Sequence, residues 1–487
     1  MAIAAALPRH LRRPGDDGYR TPTIEDAERS VSAASNGGAF PFPVPSSREA
    51  HTSALGALNG SIFRSSMSET ENGRKETPDS TFGVDRAGLT KGPSQWPEKL
   101  TWKQRIRHFT WAYFTLTMAT GGIANVLYAV PYRFRGLETI GTIVFLFNIV
   151  LYLIIWGLLL TRFYLYPYTF KASFLHPTES LFVPASAVSF GTILINISQY
   201  GPQKTGEWLV HAVGILFWID ATLAVIFSAG IYLLLWSTQT FTIAQMTPIW
   251  IFPAYPMLII GPHAGILSSE LEPSRSLRII IGGTTIQGVG FLVSLMVYAA
   301  FIYRLMTQKL PKENIRPGMF VSVGPSAFTV AAIVNMAADA KRSFPPDFMG
   351  DGELAANVLR IVANFAALWL WGLAIFFFFI ATFAHLSAIG PGRMIFSMGW
   401  FSFVFPNTAL ITATFAIGKA FSCEPIKIIG CVMTILLILM YIFVFYMMIR
   451  AVRLRHILWP QKGEDKDEGG FQIKEIKPES PGEQPPV

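Results

Sequence analysis

The fold class predicted by this sequence is an all-α membrane protein: ten transmembrane helices formed as five repeated helical hairpins, with an inner ring of odd-numbered kinked helices around a central pore. Three observations predict it. Of 487 residues, 51% are apolar and only 14% are charged, where a soluble domain carries about 25% charged residues. The apolar residues fall in long blocks, such as 140–160, 279–303 and 426–448, and about 20 helical residues suffice to cross a hydrocarbon core. Proline, glycine and hydroxyl residues then recur in every second block.

In chain order, residues 1–98 are rich in Ser, Gly, Pro, Thr and charge and have no sustained apolar run. Such a segment cannot bury enough surface to offset chain entropy, and a disordered cytoplasmic tail is expected. Residues 99–462 form the ten-helix transmembrane domain. Residues 463–487, rich in Glu, Lys and Pro, form a second disordered cytoplasmic tail. The spans are expected at about 106–130, 138–162, 178–200, 209–236, 246–267, 278–305, 317–337, 358–386, 394–418 and 426–449.

Lys and Arg near span ends concentrate on the cytoplasmic side. Lys103, Arg105 and Arg107, then Arg162 and Lys171, then Arg304, Lys309, Lys312 and Arg316, and finally Arg450, Arg453 and Arg455 all fall on one side. The opposite loops hold most of the acids, including Glu270, Glu272, Asp347, Asp351 and Glu353. Both termini are therefore expected in the cytoplasm. The net charge of +8 reads as topology and not as a nucleic-acid surface, because the cations lie between apolar runs instead of clustering with aromatic residues. Two cysteines, Cys423 and Cys431, make no disulfide framework or metal cluster. The Ala-rich, then basic, stretch over residues 1–13 is followed at once by Asp16 and Asp17, which argues against a leader peptide.

The even-numbered spans read as plain lipid-compatible helices, as in the run from Ile375 to Ile380, whereas the odd-numbered ones are interrupted. The first carries Thr117, Thr120, Gly121, Gly122 and Asn125. The third carries Pro184, Ser186, Ser189, Thr192 and Asn196, and the fifth Pro248, Pro253, Pro256, Pro262 and His263. The seventh carries Pro317, Ser322, Pro325, Ser326 and Thr329, and the ninth Pro406, Asn407 and Thr408. Irregular backbone at membrane depth is tolerated only when buried in protein or lining a water-filled cavity, so the odd spans belong inside. Ser189, Thr192 and Asn196, like Ser322, Ser326 and Thr329, fall on one helical side. These polar faces serve either as glue between helices or as the wall of a pathway, and their recurrence in five alternate spans favours a pathway.

The residues for catalysis are missing: the sequence offers no nucleophile, metal or redox constellation, no phosphate loop and no dinucleotide fingerprint in a strand-to-helix context. No cofactor is expected, and the chain reads as a transporter, not an enzyme. A hydroxyl-lined pore with kinked-helix dipoles and a positive rim suits a weakly bound anion.

The segment from His176 to Pro184 (HPTESLFVP), the run from Gly399 to Thr408 (GWFSFVFPNT), and the openings Phe109–Ala112 and Thr120–Ile123 resemble the signatures of the tellurite-resistance/dicarboxylate transporter family, over about residues 100–455. The resemblance is nearest to its fungal malic-acid transporters. It implies a ten-helix fold of five hairpins around a central pore, an anion as substrate, and a homo-oligomer, since some relatives form trimers. It also implies a pore-occluding phenylalanine in the ninth helix, which the aromatic–proline pattern matches at Phe405, with Phe401, one turn away, as the second candidate.

At the expected cytoplasmic mouth, Pro177 and Glu179 suit the first turn of the third span. His176 and Glu179 could alternatively exchange a co-transported proton near neutrality, and Arg316 or His263 could attract a carboxylate. The expected function is transport of C4-dicarboxylates across the plasma membrane, malate first and then succinate and fumarate. The alternative is efflux of sulfite or another small inorganic anion through the same fold.

Overall fold

The computed structural model describes residues 100–386 and 394–459, and among them every regular element is helical. The tails expected at 1–98 and 463–487 lie outside the described residues. We number the long helices α1 (Phe114–Ala129), α2 (Leu137–Leu165), α3 (Ala185–Tyr200), α4 (Glu207–Thr238), α5 (Tyr255–Glu270), α6 (Pro273–Gln308), α7 (Gly324–Ser343), α8 (Gly352–Leu386), α9 (Phe405–Ala420) and α10 (Glu424–Arg453). With their entry segments, nine are long and apolar enough to cross a membrane. The remaining one, α1, has 16 residues, or about 24 Å at 1.5 Å per residue.

Burial divides the helices in alternation. In the spans that end in α3, α5, α7 and α9, 83–89% of the apolar window is buried in protein, against 22–28% in α2, α4, α6, α8 and α10. The exposed side chains of the second group, such as Leu153, Ile226, Phe383 and Leu436, are what a lipid-facing surface requires. Helix α1 joins the buried group, with Thr117 and Thr120 fully enclosed. It packs on α2, α3 and α9; α3 packs on α4 and α5, α5 on α6 and α7, and α7 on α8 and α9.

Each buried helix is entered through a break. The 3₁₀ turn Trp111–Tyr113 precedes α1, a one-turn helix Glu179–Phe182 precedes α3, and 3₁₀ segments at Pro248–Ala254, Glu313–Val323 and Met398–Phe403 precede α5, α7 and α9. Proline is the second residue of α5, α7 and α9 (Pro256, Pro325, Pro406), and Pro184 stands immediately before α3. The sequence suggested prolines within kinked helices; Pro184, Pro256, Pro325 and Pro406 instead stand at or just before the start of a new α-helix, where the missing N–H would have had no partner, and Pro248, Pro253 and Pro317 lie in the 3₁₀ entry segments. Pro262 is a true interior proline of α5.

Close packing and short polar bonds join the buried helices. Thr117 and Ser189 hydroxyls lie 2.7 Å apart between α1 and α3, and Ser268 Oγ donates to Asp339 at 2.6 Å between α5 and α7. The outer helices are less plain than expected. Asn148 of α2, Asp220 of α4 and Gln287 of α6 are buried, and each turns toward a glycine of a buried helix: Gly121, Gly191 and Gly261. Gln287 accepts from the Gly261 N–H at 3.2 Å and donates to Thr329 at 2.9 Å. Of the α6 glycines, Gly282, Gly283 and Gly290 meet Trp218, Ala264 and Met257, while Gly288 faces open space.

Gly122 sets the approach of α1 to α9: a Cβ there would lie 2.7 Å from Thr408 Oγ1 and 2.8 Å from its Cγ2. A threonine locked in a helix has few rotamers to retreat into, so Gly122→Ala is expected to destabilise the domain by about 1–3 kcal/mol. A lowered midpoint of thermal unfolding in detergent checks this; an unchanged midpoint would mean that the contact relaxes freely.

Candidate functional site: an aromatic closure and its polar surroundings

Where the breaks in α5 and α9 meet α7, three rings come together. Phe405, the first residue of α9, has its ring centre 5.3 Å from Phe328 of α7 and 6.0 Å from Tyr255, the first residue of α5; Tyr255 and Phe328 are 6.1 Å apart. All three are at most 3% exposed. Such aromatic pairs add about 0.5–1.5 kcal/mol each beyond area burial. Tyr255 is fixed further by its hydroxyl, which donates to the Val321 carbonyl at 2.5 Å. Gly324 leaves the room for it, since a Cβ there would come within 2.2 Å of the Tyr255 oxygen. The ring series continues through Phe252, stacked on Tyr255 at 5.3 Å, to Phe182 before α3.

Phe401 lies in the 3₁₀ entry to α9 and is fully buried. The aromatic trio includes Phe405 and not Phe401. Sequence reasoning missed Tyr255 and Phe328, although the Tyr255–Pro256 pair repeats Phe405–Pro406 at the corresponding helix start and could have identified the first of them.

The polar residues singled out from the sequence fall into three groups. Some link buried helices: Thr117 with Ser189; Asn125, which accepts from Gln199 of α3 at 2.6 Å; and His263, whose Nε2 is 3.2 Å from Ser198 Oγ. Others turn toward outer helices. Thr120 pairs with Tyr441 of α10 at 2.9 Å, Thr329 accepts from Gln287, and Tyr298 of α6 donates to the Ser322 carbonyl at 2.7 Å and lies 3.4 Å from Ser326 Oγ. For the Ser322, Ser326 and Thr329 stripe, the contacts are those of glue between helices.

Among the described residues, the third group hydrogen-bonds only within its own helix or entry segment. Ser186 donates to Val183 O, Thr192 to Ser189 O, Asn407 to Phe403 O and Thr408 to Phe405 O, and Asn196 donates weakly to Gln199 at 3.4 Å. Among the described residues, Asn196 Oδ1 and Asn407 Oδ1 are buried with no hydrogen-bond donor. Buried amide oxygens left without a partner call for one.

At the entry to α3 the carboxylate of Glu179 is held by Arg162 of α2, with N–O distances of 2.6 and 3.3 Å, and accepts from Ser173 at 3.1 Å. Arg162 is 2% exposed and Glu179 10%. His176 Nδ1 accepts from the backbone N–H groups of Thr178 and Glu179 at 3.2 and 3.1 Å. Arg316, in the entry to α7, ties the connection after α6 to the end of α8, donating to Pro311 O at 3.0 and 3.2 Å and to Ala384 O at 3.0 Å. Arg162 appeared in the sequence only as a topological flank, because its partner is 17 residues away across a loop. Removing one member of a buried ion pair costs about 3–5 kcal/mol, so Arg162→Ala should lower the unfolding midpoint more than Lys204→Ala, which breaks the exposed pair with Glu138. Equal shifts would contradict the assignment.

Among the described residues no cluster of His, Cys, Asp and Glu could hold a metal ion. Comparison with known proteins gives one consistent result. The chain is 35% identical over 364 residues to a malic acid transport protein of Schizosaccharomyces pombe, covering 74% of this chain and 82% of the relative. It is 33% identical over 365 residues to a putative malic acid transport protein of the same organism, covering 74% and 84%. A sulfite efflux pump of Arthroderma benhamiae is 26% identical over 342 residues, covering 70% and 90%. The sequence profile of the voltage-dependent anion channel family, SLAC1, matches residues 108–449. The chain therefore belongs to this family of membrane anion transporters, which includes the tellurite-resistance/dicarboxylate transporters that its motifs resemble.

Proposed function

We propose that the chain carries C4-dicarboxylate anions, malate first and then succinate and fumarate, across the plasma membrane. The observation that carries this reading is the identity of 35% and 33% to two proteins named for malic acid transport. In this reading α1 is a tenth span, five hairpins repeat, and the helices α1, α3, α5, α7 and α9 surround a central path. The alternation in burial and the contacts of α1 with both α3 and α9 support it. Both termini face the cytoplasm on the grounds of loop charge, and the protein forms a homo-oligomer.

Ser186, Thr192, Asn196, Asn407 and Thr408 offer the anion hydroxyl and amide groups, neutral partners that let it leave as readily as it enters. Phe405, backed by Tyr255 and Phe328, closes the path by excluding water. His176, Glu179 and Arg316 are anchors of the cytoplasmic mouth in this account. The bond of Glu179 to Arg162 favours that role over proton exchange, so Glu179→Gln should lower stability while the pH profile of uptake keeps its shape. A flattened profile would instead make Glu179 the proton carrier. The resemblance at 26% identity to a sulfite efflux pump supports a second reading, export of sulfite or a similar small anion.

Uptake of radiolabelled malate into proteoliposomes, beside sulfite flux in the same vesicles, separates the two. Saturable malate flux that succinate competes for is the expected result; sulfite flux without malate flux would transfer the protein to the second reading. Phe405→Ala should raise anion leak, about tenfold for each 1.4 kcal/mol removed from the barrier. Unchanged flux from a folded variant would remove Phe405 from the gate.

A further inference from the structure

Outside the buried helices, residues near the starts of α4 and α6 line a recess of about 430 Å³. Its lining is of two kinds. Arg275 and Arg278, in the first two turns of α6, and His211 of α4 are polar; Ile215 and Trp218 of α4, Ile279 of α6 and Leu271 are apolar, and among the described residues no carboxylate lines it. Arg275 Nη1 donates to His211 Nδ1. Arg278 Nε donates to the backbone carbonyl of Ser274 at 3.3 Å. Among the described residues neither arginine forms an ion pair with a carboxylate, although Glu270 and Glu272 stand in the same connection.

Two guanidinium groups three residues apart share one helical face and repel each other. They stand in addition at the positive end of a helix of 36 residues, which favours an anion and not a cation. The apolar wall points to what kind of anion. Trp218 fits its ring tip over Gly282, where a Cβ would lie 2.6 Å away, yet the residue stays 43% exposed, and Ile215 is 66% exposed. Arg275 and Arg278 stand where α6 enters the span expected from residue 278, the level of the lipid headgroups, whereas Trp218, the twelfth residue of α4, lies deeper, at the level of an acyl chain. An inorganic anion would use the arginines and leave the apolar wall unused. An anionic phospholipid uses both, with its phosphate on the guanidinium groups and the upper part of an acyl chain along Ile215 and Trp218.

We infer that this recess is a binding site for an anionic phospholipid, held by Arg275 and Arg278 and joining α4 to α6 at the membrane boundary. Native mass spectrometry and thermal unfolding of the purified full-length chain in mild detergent, with phosphatidylglycerol, phosphatidylcholine or inorganic phosphate added, test it. Phosphatidylglycerol should remain bound and raise the unfolding midpoint. Phosphatidylcholine should bind at least about tenfold more weakly, a difference of 1.4 kcal/mol, and inorganic phosphate should produce no shift. The Arg275→Gln/Arg278→Gln variant should lose the phosphatidylglycerol shift. Arg278→Gln, which gives up one side-chain bond to a backbone carbonyl, should weaken it and serves where the double variant does not fold. Equal retention in wild type and variants, or a shift with inorganic phosphate alone, would overturn the assignment.

Discussion

A hydrocarbon solvent offers no hydrogen bonds, so a backbone break that leaves N–H or C=O groups unpaired is tolerable only where protein or water can reach it. The breaks before α1, α3, α5, α7 and α9 all belong to the buried helices, while α2, α4, α6, α8 and α10 run for 29–36 residues and face outward. The rest of the architecture follows from that division. Uninterrupted helices can be coated with Leu, Ile and Phe, because their own ladders satisfy the backbone. Interrupted helices must be enclosed, and enclosure brings with it the small and hydroxyl residues that let helices approach closely.

The same breaks also bring the aromatic trio together. A new α-helix begins at Tyr255 and at Phe405, and a proline as its second residue fixes the start. Two large rings are thus held at helix starts, and Phe328, the fifth residue of α7, meets both. Gly324 begins the helix between them, and its lack of a side chain makes room for Tyr255. The three rings belong to three different helices and meet only through the packing of all three.

Much of the fold was legible in the sequence because its signals are local. Apolar run length reveals the outer helices, and proline and glycine content reveals which spans are interrupted. That Pro184, Pro256, Pro325 and Pro406 stand at or just before helix starts, not in mid-helix kinks, was not legible, since periodicity does not separate a kinked helix from two joined ones. Partner choice was hidden for the same reason. Ser322, Ser326 and Thr329 share a face, but only the packed structure has that face meeting Tyr298 and Gln287. Arg162 and Glu179 looked like separate flanks until the loop between them folded back. Phe405 was accessible through the family motif, and Tyr255 would have been through the recurrence of the aromatic–proline pair.

The central claim is that the buried helices enclose a water-accessible path closed at Phe405, and cysteine accessibility tests it most directly. In a chain with Cys423 and Cys431 replaced by serine and carrying Phe405→Ala, single cysteines would be introduced at Ser186 and Asn407, facing the proposed path, and at Leu153 and Leu436, on the exposed outer surface. Each would be treated in membranes with a charged, water-soluble thiol reagent. The account predicts labelling at Ser186→Cys and Asn407→Cys, suppressed when Phe405 is restored, and none at the two outer positions. Labelling that ignores Phe405, or inner positions as unreactive as the outer ones, would contradict it.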